Sequence, residues 1–297
     1  MISFLKKHTI AYVFMLPAVV FLILLLLVPI INVFIKSFYE SNLLIVGDDL
    51  FIGLQNFINV MQDPLFWTNV KNSIVYTFGS VGGEYVVGLG TAILLNQNIK
   101  GRAFFRGAMI IPWVVPIVVA GMTWRWMLNP DYGIINVLLM NIGILDQSIN
   151  WLGSETTAMF SVIWVNVWRS FPFYTISFLA VLQTINKNEL EAAEIDGANM
   201  FQKFWNITFP KLKGISIILI VLHLIWTFNN FDFIWILTEG GPLNATETLA
   251  IATYKEAFMK YHYGTASAIS VLMVVILIGM MALYFWLQNK QEAKGDN

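Results

Sequence analysis

The chain contains no cysteine among its 297 residues, which excludes disulfides, thiolate metal sites and a cysteine nucleophile. Charge is almost as scarce. Asp, Glu, Lys and Arg make up 12% of the chain, against about a quarter in an ordinary soluble domain. With 17 basic and 18 acidic residues the net charge is -1, leaving no basic excess for a phosphate backbone, so nucleic-acid binding is not expected. The three histidines, His8, His223 and His262, have no metal-ligand spacing, and no metal site is expected. No Gly-Lys pair occurs, so the phosphate-cradling loop of an ATPase is absent and the chain cannot hydrolyse ATP itself. What is abundant is apolar surface: 58% hydrophobic residues, with 23 Phe and 11 Trp. A soluble fold would expose too much of it to stay in solution.

The gaps between charges give the organisation. A helix needs about 20 apolar residues to cross the hydrocarbon core. No charge falls between Lys7 and Lys36, Arg106 and Arg125, or Lys260 and Lys290. Two further apolar stretches carry one ionisable residue each, Glu84 and Arg169, and another runs from Gly214 to Asp232. These stretches predict an all-α membrane protein with six transmembrane helices, at 10–36, 74–95, 105–127, 158–182, 214–237 and 265–288. The first apolar stretch is longer than a secretory signal and no small-residue cleavage site follows it, so it reads as a retained signal anchor. Three parts follow: a first helix with an external segment at 1–73, a core at 74–290, and a tail at 291–297.

Lys and Arg orient the bundle, since they concentrate on the cytoplasmic side. One set of ends holds Lys6, Lys7, Lys100, Arg102, Arg106, Lys187, Lys203, Lys211, Lys213, Lys290 and Lys294. The opposite loops carry Asp48, Asp49, Asp63, Asp131, Asp146, Glu155, Glu239 and Glu247. Both termini and the 183–213 loop are therefore expected in the cytoplasm. Asp63-Pro64 should start a short helix leading into the second span, with Phe66 and Trp67 as an interfacial anchor. Asn129–Gly133 and Glu239-Gly240-Gly241-Pro242 carry turn chemistry. No internal repeat is evident.

The cytoplasmic loop 188–212 reads NELEAAEIDGANMFQKFWNITFPKL. Asn188 is placed to cap a helix with Glu191 at its third position. Gly197 falls where the helix ends in a left-handed residue. A second short helix carries Phe201, Phe204 and Trp205, and Pro210 suits the start of the fifth span. Two acidic helices joined at a glycine suit an anionic membrane surface poorly and a cytoplasmic protein partner better.

Glu191-Ala192-Ala193, Asp196-Gly197-Ala198, Ile207, Pro210 and Leu212 resemble the EAA loop of binding-protein-dependent ABC importer permeases. WRWMLNPDYGIIN at 124–136, FNNFDFIWILTEGGPLNATETLAIATYKEAF at 228–258 and GTASAISV at 264–271 resemble the carbohydrate branch of that family. FIGLQNFINVMQDPLFW at 51–67 and RAFFRGAMIIPWVVP at 102–116 are similar as well, so the resemblance covers nearly the whole chain. It implies a type I ABC importer permease in a bacterial or archaeal cell membrane. Membrane lipid surrounds it, and the chain carries no cofactor of its own. The implied partners are a second, homologous permease, a cytoplasmic ATPase dimer that binds the ATP, and an extracytoplasmic sugar-binding protein. Glu191, Ala192, Ala193, Asp196, Gly197 and Pro210 would couple the permease to the ATPase.

Charges inside a bilayer are costly and mark functional candidates. Glu84 and Arg169 share a depth, so they either pair between helices or line a pore. Sugars are held by planar polar groups with aromatic rings against their apolar faces. Trp164, Asn166, Arg169, Trp226, Asn229, Asn230 and Asp232 suit such a path, with interhelical packing as the competing reading. His223 reads as an interhelical hydrogen-bond partner. An ion-coupled secondary transporter would use an intramembrane carboxylate, for which Glu84 alone speaks. An intramembrane enzyme finds no Ser/His or paired-Asp arrangement.

Overall fold

The computed structural model describes residues 13–295 except 43, 45, 46 and 48. Lys6, Lys7, His8 and Asp48 lie outside the described residues, as does the side chain of Lys294. The chain forms two compact units: residues up to Trp67 with those from Ala252 onward, and Thr68–Ile251.

In the first unit, α1 (Val13–Lys36) is a wholly unburied apolar helix. A two-stranded antiparallel pair follows, Tyr39–Glu40 with Leu50–Phe51, and then α2 (Gln55–Gln62). The Asn56 side chain on α2 donates to the Ser37 and Tyr39 carbonyls at 3.0 and 2.9 Å, closing that corner. The unit's other long helix, Tyr263–Gly295, has its first-turn Gly264 packed on it so tightly that a Cβ would lie 2.1 Å from the Tyr39 oxygen.

The next helix, α3 (Pro64–Asn96), has its first four residues in the first unit and the rest in the second, and it starts at the proline without a separate short helix. Pro at a first helical position gives up an N–H that would have no partner anyway, and the Asp63 carboxylate accepts from Leu65 N at 2.8 Å. Trp67 donates to the Met61 carbonyl at 2.9 Å.

The third expected span is broken. Arg102–Val114 (α4) and Ile117–Met127 (α5) meet at 95°. Pro116 has no N–H and its ring forces Val115 into an extended conformation (ψ 131°), which ends the helix. The Asn129–Gly133 turn forms as expected: the Asn129 carboxamide oxygen accepts from Asp131 N at 2.8 Å.

After a short helix, α6 (Ile134–Asn141), comes α7 (Glu155–Leu182). At 28 residues it is about 42 Å long, enough to cross a bilayer. It is nonetheless not among the helices that pass as candidate spans by apolarity, and its buried face carries Ser161, Asn166 and Thr175. By length and apolarity the described residues hold four candidate spans, or five with the bent pair as one.

The 183–213 loop holds α8 (Lys187–Ile195). Its cap is Asn186, two residues before Asn188, with the side chain accepting from Asn188 N at 3.0 Å. Beyond it, the second short helix and the fifth span are a single helix, α9 (Met200–Phe228). Pro210 interrupts no axis because a π-turn at Phe204–Thr208 precedes it, in which Phe209 N reaches back to the Phe204 carbonyl. The fifth span is cut at its other end, where Asn229–Phe231 separate α9 from α10 (Asp232–Thr238).

Candidate functional site

Two apolar clusters fill the second unit. One gathers Tyr76, Trp124, Val162, Val165, Phe233 and Ile234, and the other Ala92, Tyr174, Phe178, Leu182, Leu212 and Leu219. A polar centre sits at the level between them. On α3, Asn69, Asn72, Ser73, Tyr76, Thr77, Ser80 and Glu84 are all buried. They recur at three- and four-residue steps and so form one stripe.

One end of the stripe holds the loop that follows α10. Asn69 donates to the Glu247 carboxylate at 3.1 Å, and Asn72 to the Asn244 and Glu247 carbonyls at 2.9 and 3.0 Å. The Ser73 hydroxyl accepts from Leu249 N at 2.9 Å. The loop itself begins with Glu239 and Gly240 at positive φ (54° and 88°), the turn expected from Glu239-Gly240-Gly241-Pro242.

Glu84, fully buried, occupies the other end. The Asn166 carboxamide donates to its Oε1 at 2.9 Å, and His223 Nδ1 lies 2.6 Å from its Oε2. Asn230 Nδ2 in turn lies 3.5 Å from the Asn166 oxygen. Three helices and the α9–α10 break are thereby tied through four side chains. His223 is enclosed by Phe173, Tyr174 and Trp226, with ring centroids 5.4, 4.5 and 5.3 Å away.

The Glu84–Arg169 pair does not form. Arg169 Nη1 instead donates to the Pro112 and Trp113 carbonyls at 2.9 and 2.6 Å. The reason lies in the broken helix. Pro116 has no N–H for the Pro112 carbonyl, and the bend removes the donor from Trp113. Arg169 supplies both, so it braces the bend and leaves the carboxylate to His223.

Of the other residues expected on a path, Trp226 stands with His223, and Asn166 and Asn230 meet. Asn229 turns back to the Ile225 carbonyl of its own helix (2.7 Å). Asp232 is exposed at the start of α10. Trp164 borders a separate apolar pocket of about 170 Å³ with Trp124, Trp151 and Phe160. Trp168 packs edge-on against Trp124, 5.4 Å between centroids. A pocket of about 460 Å³ between α5 and α10, lined by Arg125, Trp126, Tyr132, Trp235 and Glu239, was not anticipated. His223 forms the interhelical hydrogen bond expected of it, with Glu84 as the unforeseen partner, although the polar stripe of α3 is legible in the spacing of its residues.

The 183–213 loop is compact. Gly197 adopts φ +84°, and its N–H and that of Ala198 bond back to Glu194 and Ala193 at 3.0 and 2.8 Å. Asn199 and Gln202 form a capping box that starts α9. Lys203 pairs with Glu194 at 2.9 Å and Lys211 with Glu189, tying α8 to α9. Glu191, Ala192 and Asp196 are exposed and Ala193 is half-buried, while Pro210 is exposed on α9. Ile195, Met200 and Phe201 are 88%, 79% and 71% exposed, an apolar patch around the glycine.

The sequence model of the binding-protein-dependent transport system inner membrane component family matches residues 84–293. The chain belongs to this family. It is a multi-pass inner-membrane component of a transport system, a transport protein and not an enzyme by family. A trehalose/maltose transport system permease protein of Thermococcus litoralis is 34% identical over 282 residues, covering 94% of this chain and 93% of that protein. A sulfoquinovosyl glycerol transport system permease protein of Agrobacterium fabrum is 30% identical, covering 94% and 90%. A solved bacterial ABC transporter for import of the acidic polysaccharide alginate has the same fold, with TM-score 0.83 at 20% identity over 97% of this chain and 98% of that one.

Proposed function

We propose that this chain is the membrane permease of an ATP-driven importer for a carbohydrate delivered by an extracytoplasmic binding protein. The observation that carries the reading is family membership over most of the chain, with relatives named for sugar transport along nearly its full length. A solved alginate importer of the same fold is in complex with a pentasaccharide-bound periplasmic protein, which supports a binding-protein partner here.

In this reading the chain spans the membrane six times with both termini cytoplasmic, α7 being the span whose polar face is turned inward. The α8–Gly197–α9 corner is the coupling element. Glu191, Ala192, Ala193, Asp196, Gly197 and Pro210 place its short helix, and Ile195, Met200 and Phe201 offer the apolar contact for one ATPase of a dimer. A second permease completes the path. Sugar passes the polar centre, with Asn166, Asn230 and Trp226 as contacts and Asn229, Trp164 and Asp232 toward its ends. Arg169 keeps the α4–α5 bend, and with it the path wall, in place. ATPase closure pushes on α9 through the corner, and the helix breaks at 115–116 and 229–231 absorb the change in angle.

The coupling assignment is tested at Gly197. A side chain with a Cβ at positive φ costs about 1–2 kcal/mol, most for a β-branched one, whereas nothing lies within 4 Å of an added Cβ. Gly197→Asp and Gly197→Val should both abolish uptake while membrane insertion stays at the wild-type level. Full uptake with the ATPase copurifying at wild-type yield would overturn it.

A further inference from the structure

The cleft between α5 and α10 is lined by side chains that are anchored on one side and unpaired on the other. Two adjoining pockets, of about 460 and 410 Å³, meet at Arg125, Asn129 and Glu239. Arg125 donates through Nη1 to the Ile236 carbonyl at 3.2 Å, which sets its guanidinium against α10. The Asn129 oxygen accepts from Asp131 N and Tyr132 N at 2.8 and 3.3 Å. A backbone N–H only donates, so the Asn129 NH₂ is left for the pockets that this residue lines. Asn150, in the second pocket, is held the same way, its oxygen accepting from Gly153 N at 2.9 Å. The acceptor among them is the Glu239 carboxylate. Its backbone is left-handed (φ 54°), the conformation in which glycine is the unstrained residue. Arg125 and Glu239 line the same pockets, yet neither has an ion-pair partner among the described residues. Trp126, Tyr132 and Trp235 wall the first pocket. The Trp126 and Tyr132 rings lie 6.2 Å apart, and Phe231 stacks on Trp235 at 5.3 Å.

The geometry points to a second sugar subsite in this cleft, separate from the Glu84 centre and reached before it. A hydroxyl group accepts and donates at once, so it satisfies the guanidinium and amide donors together with the carboxylate. A carboxylate or phosphate group satisfies the donors and leaves Glu239 without one. The aromatic wall suits the apolar face of the same sugar ring. In the orientation set by Lys and Arg, Asp131 and Glu239 lie on the external side. The seven residues of α10, about 10 Å long, then lead inward from the cleft to the helix break, where Asn230 meets the Glu84 centre. This inference rests on the sugar-importer reading and adds a site to it.

The test uses the importer reconstituted in liposomes with its ATPase and with binding protein loaded with maltose or trehalose. Asn129→Asp keeps the oxygen that holds the turn and exchanges the donor for a second acceptor beside Glu239. Trp126→Ala removes part of the aromatic wall. Each should lower uptake roughly tenfold, the worth of one contact, while loaded binding protein keeps its wild-type affinity for the importer in nanodiscs. Uptake at the wild-type rate in either variant overturns the subsite. So does a fall in binding-protein affinity that matches the loss of uptake, which makes the cleft a docking face instead. Should a variant fail to insert, the wild-type protein still decides. Maltose and trehalose carrying a photoreactive diazirine should label residues 117–133 or 232–239, and label confined to other parts of the chain overturns the inference. Uptake of neither sugar by the wild-type importer would overturn the underlying sugar reading, and the subsite with it.

Discussion

Arg169 shows how a costly residue is held in an apolar setting. Its partners are two carbonyls orphaned by Pro116, so removing the side chain leaves both without donors. Arg169→Leu should destabilise the protein by about 1–3 kcal/mol, because the part-buried Pro112 carbonyl loses its donor, read as a lowered unfolding midpoint in detergent. Because Glu84 has separate partners, the loss should add to that of Glu84→Leu within about 0.5 kcal/mol. Strong coupling in that double-mutant cycle would reinstate a direct pair. Glu84 and His223, by contrast, should couple strongly in the same assay. At the surface, Asp49 offers a pH-dependent contact. Hydrogen bonding from Lys36, and then from Ser41, holds its carboxyl below the usual carboxylate range. A lowered folded value means stability present above the unfolded value and lost as pH falls through the folded one. Lys36→Ala should raise the Asp49 titration toward the ordinary range in a ¹³C carboxyl titration, with Ser41 still holding it down in part, and an unchanged titration would contradict the pairing.

The helices were legible where apolar runs were long and unpunctuated, and less so where backbone chemistry interrupts them. Val13–Lys36 and the helix from Tyr263 fall where charge-free runs place them. The breaks at Val115-Pro116 and Asn229–Phe231 sit inside apolar stretches, where counting charges is blind. Pro116 marks the first, but prolines in an apolar run, of which Pro112 is another, also suit a kinked span. Likewise the Glu84–Arg169 pair looked sound by depth, because depth ignores which face a residue occupies and which carbonyls a break sets free. The closeness of α3 and α7 rests on glycines. A Cβ on Gly79, Gly83 or Gly88 would lie 2.9, 2.6 or 2.4 Å from Ile163, Val167 or Tyr174. Small residues at such spacing let helix backbones approach. Gly88→Ala meets Tyr174 Cβ, which cannot swing away, so it should cost about 1–3 kcal/mol by overpacking. Gly79→Ala meets the end of a flexible Ile163 and should cost less, and thermal unfolding of the two variants checks the order.

For the whole molecule, the distribution of a few charges carries the account. The chain has no phosphate-binding loop of its own, its acidic coupling helix is tied to α9 by Lys203 and Lys211, and an exposed apolar patch surrounds Gly197. In the proposed reading, work done elsewhere enters through that corner and reaches the Glu84 centre along α9, which carries His223. The rival, an ion-driven carrier, would draw on a gradient and would need no binding protein. The decisive measurement is uptake of labelled sugar into liposomes containing the permease pair and its ATPase, with nucleotide and ion gradients varied separately. The account predicts uptake only with ATP and loaded binding protein, unchanged when proton and sodium gradients are collapsed. Uptake driven by a gradient without ATP would contradict it.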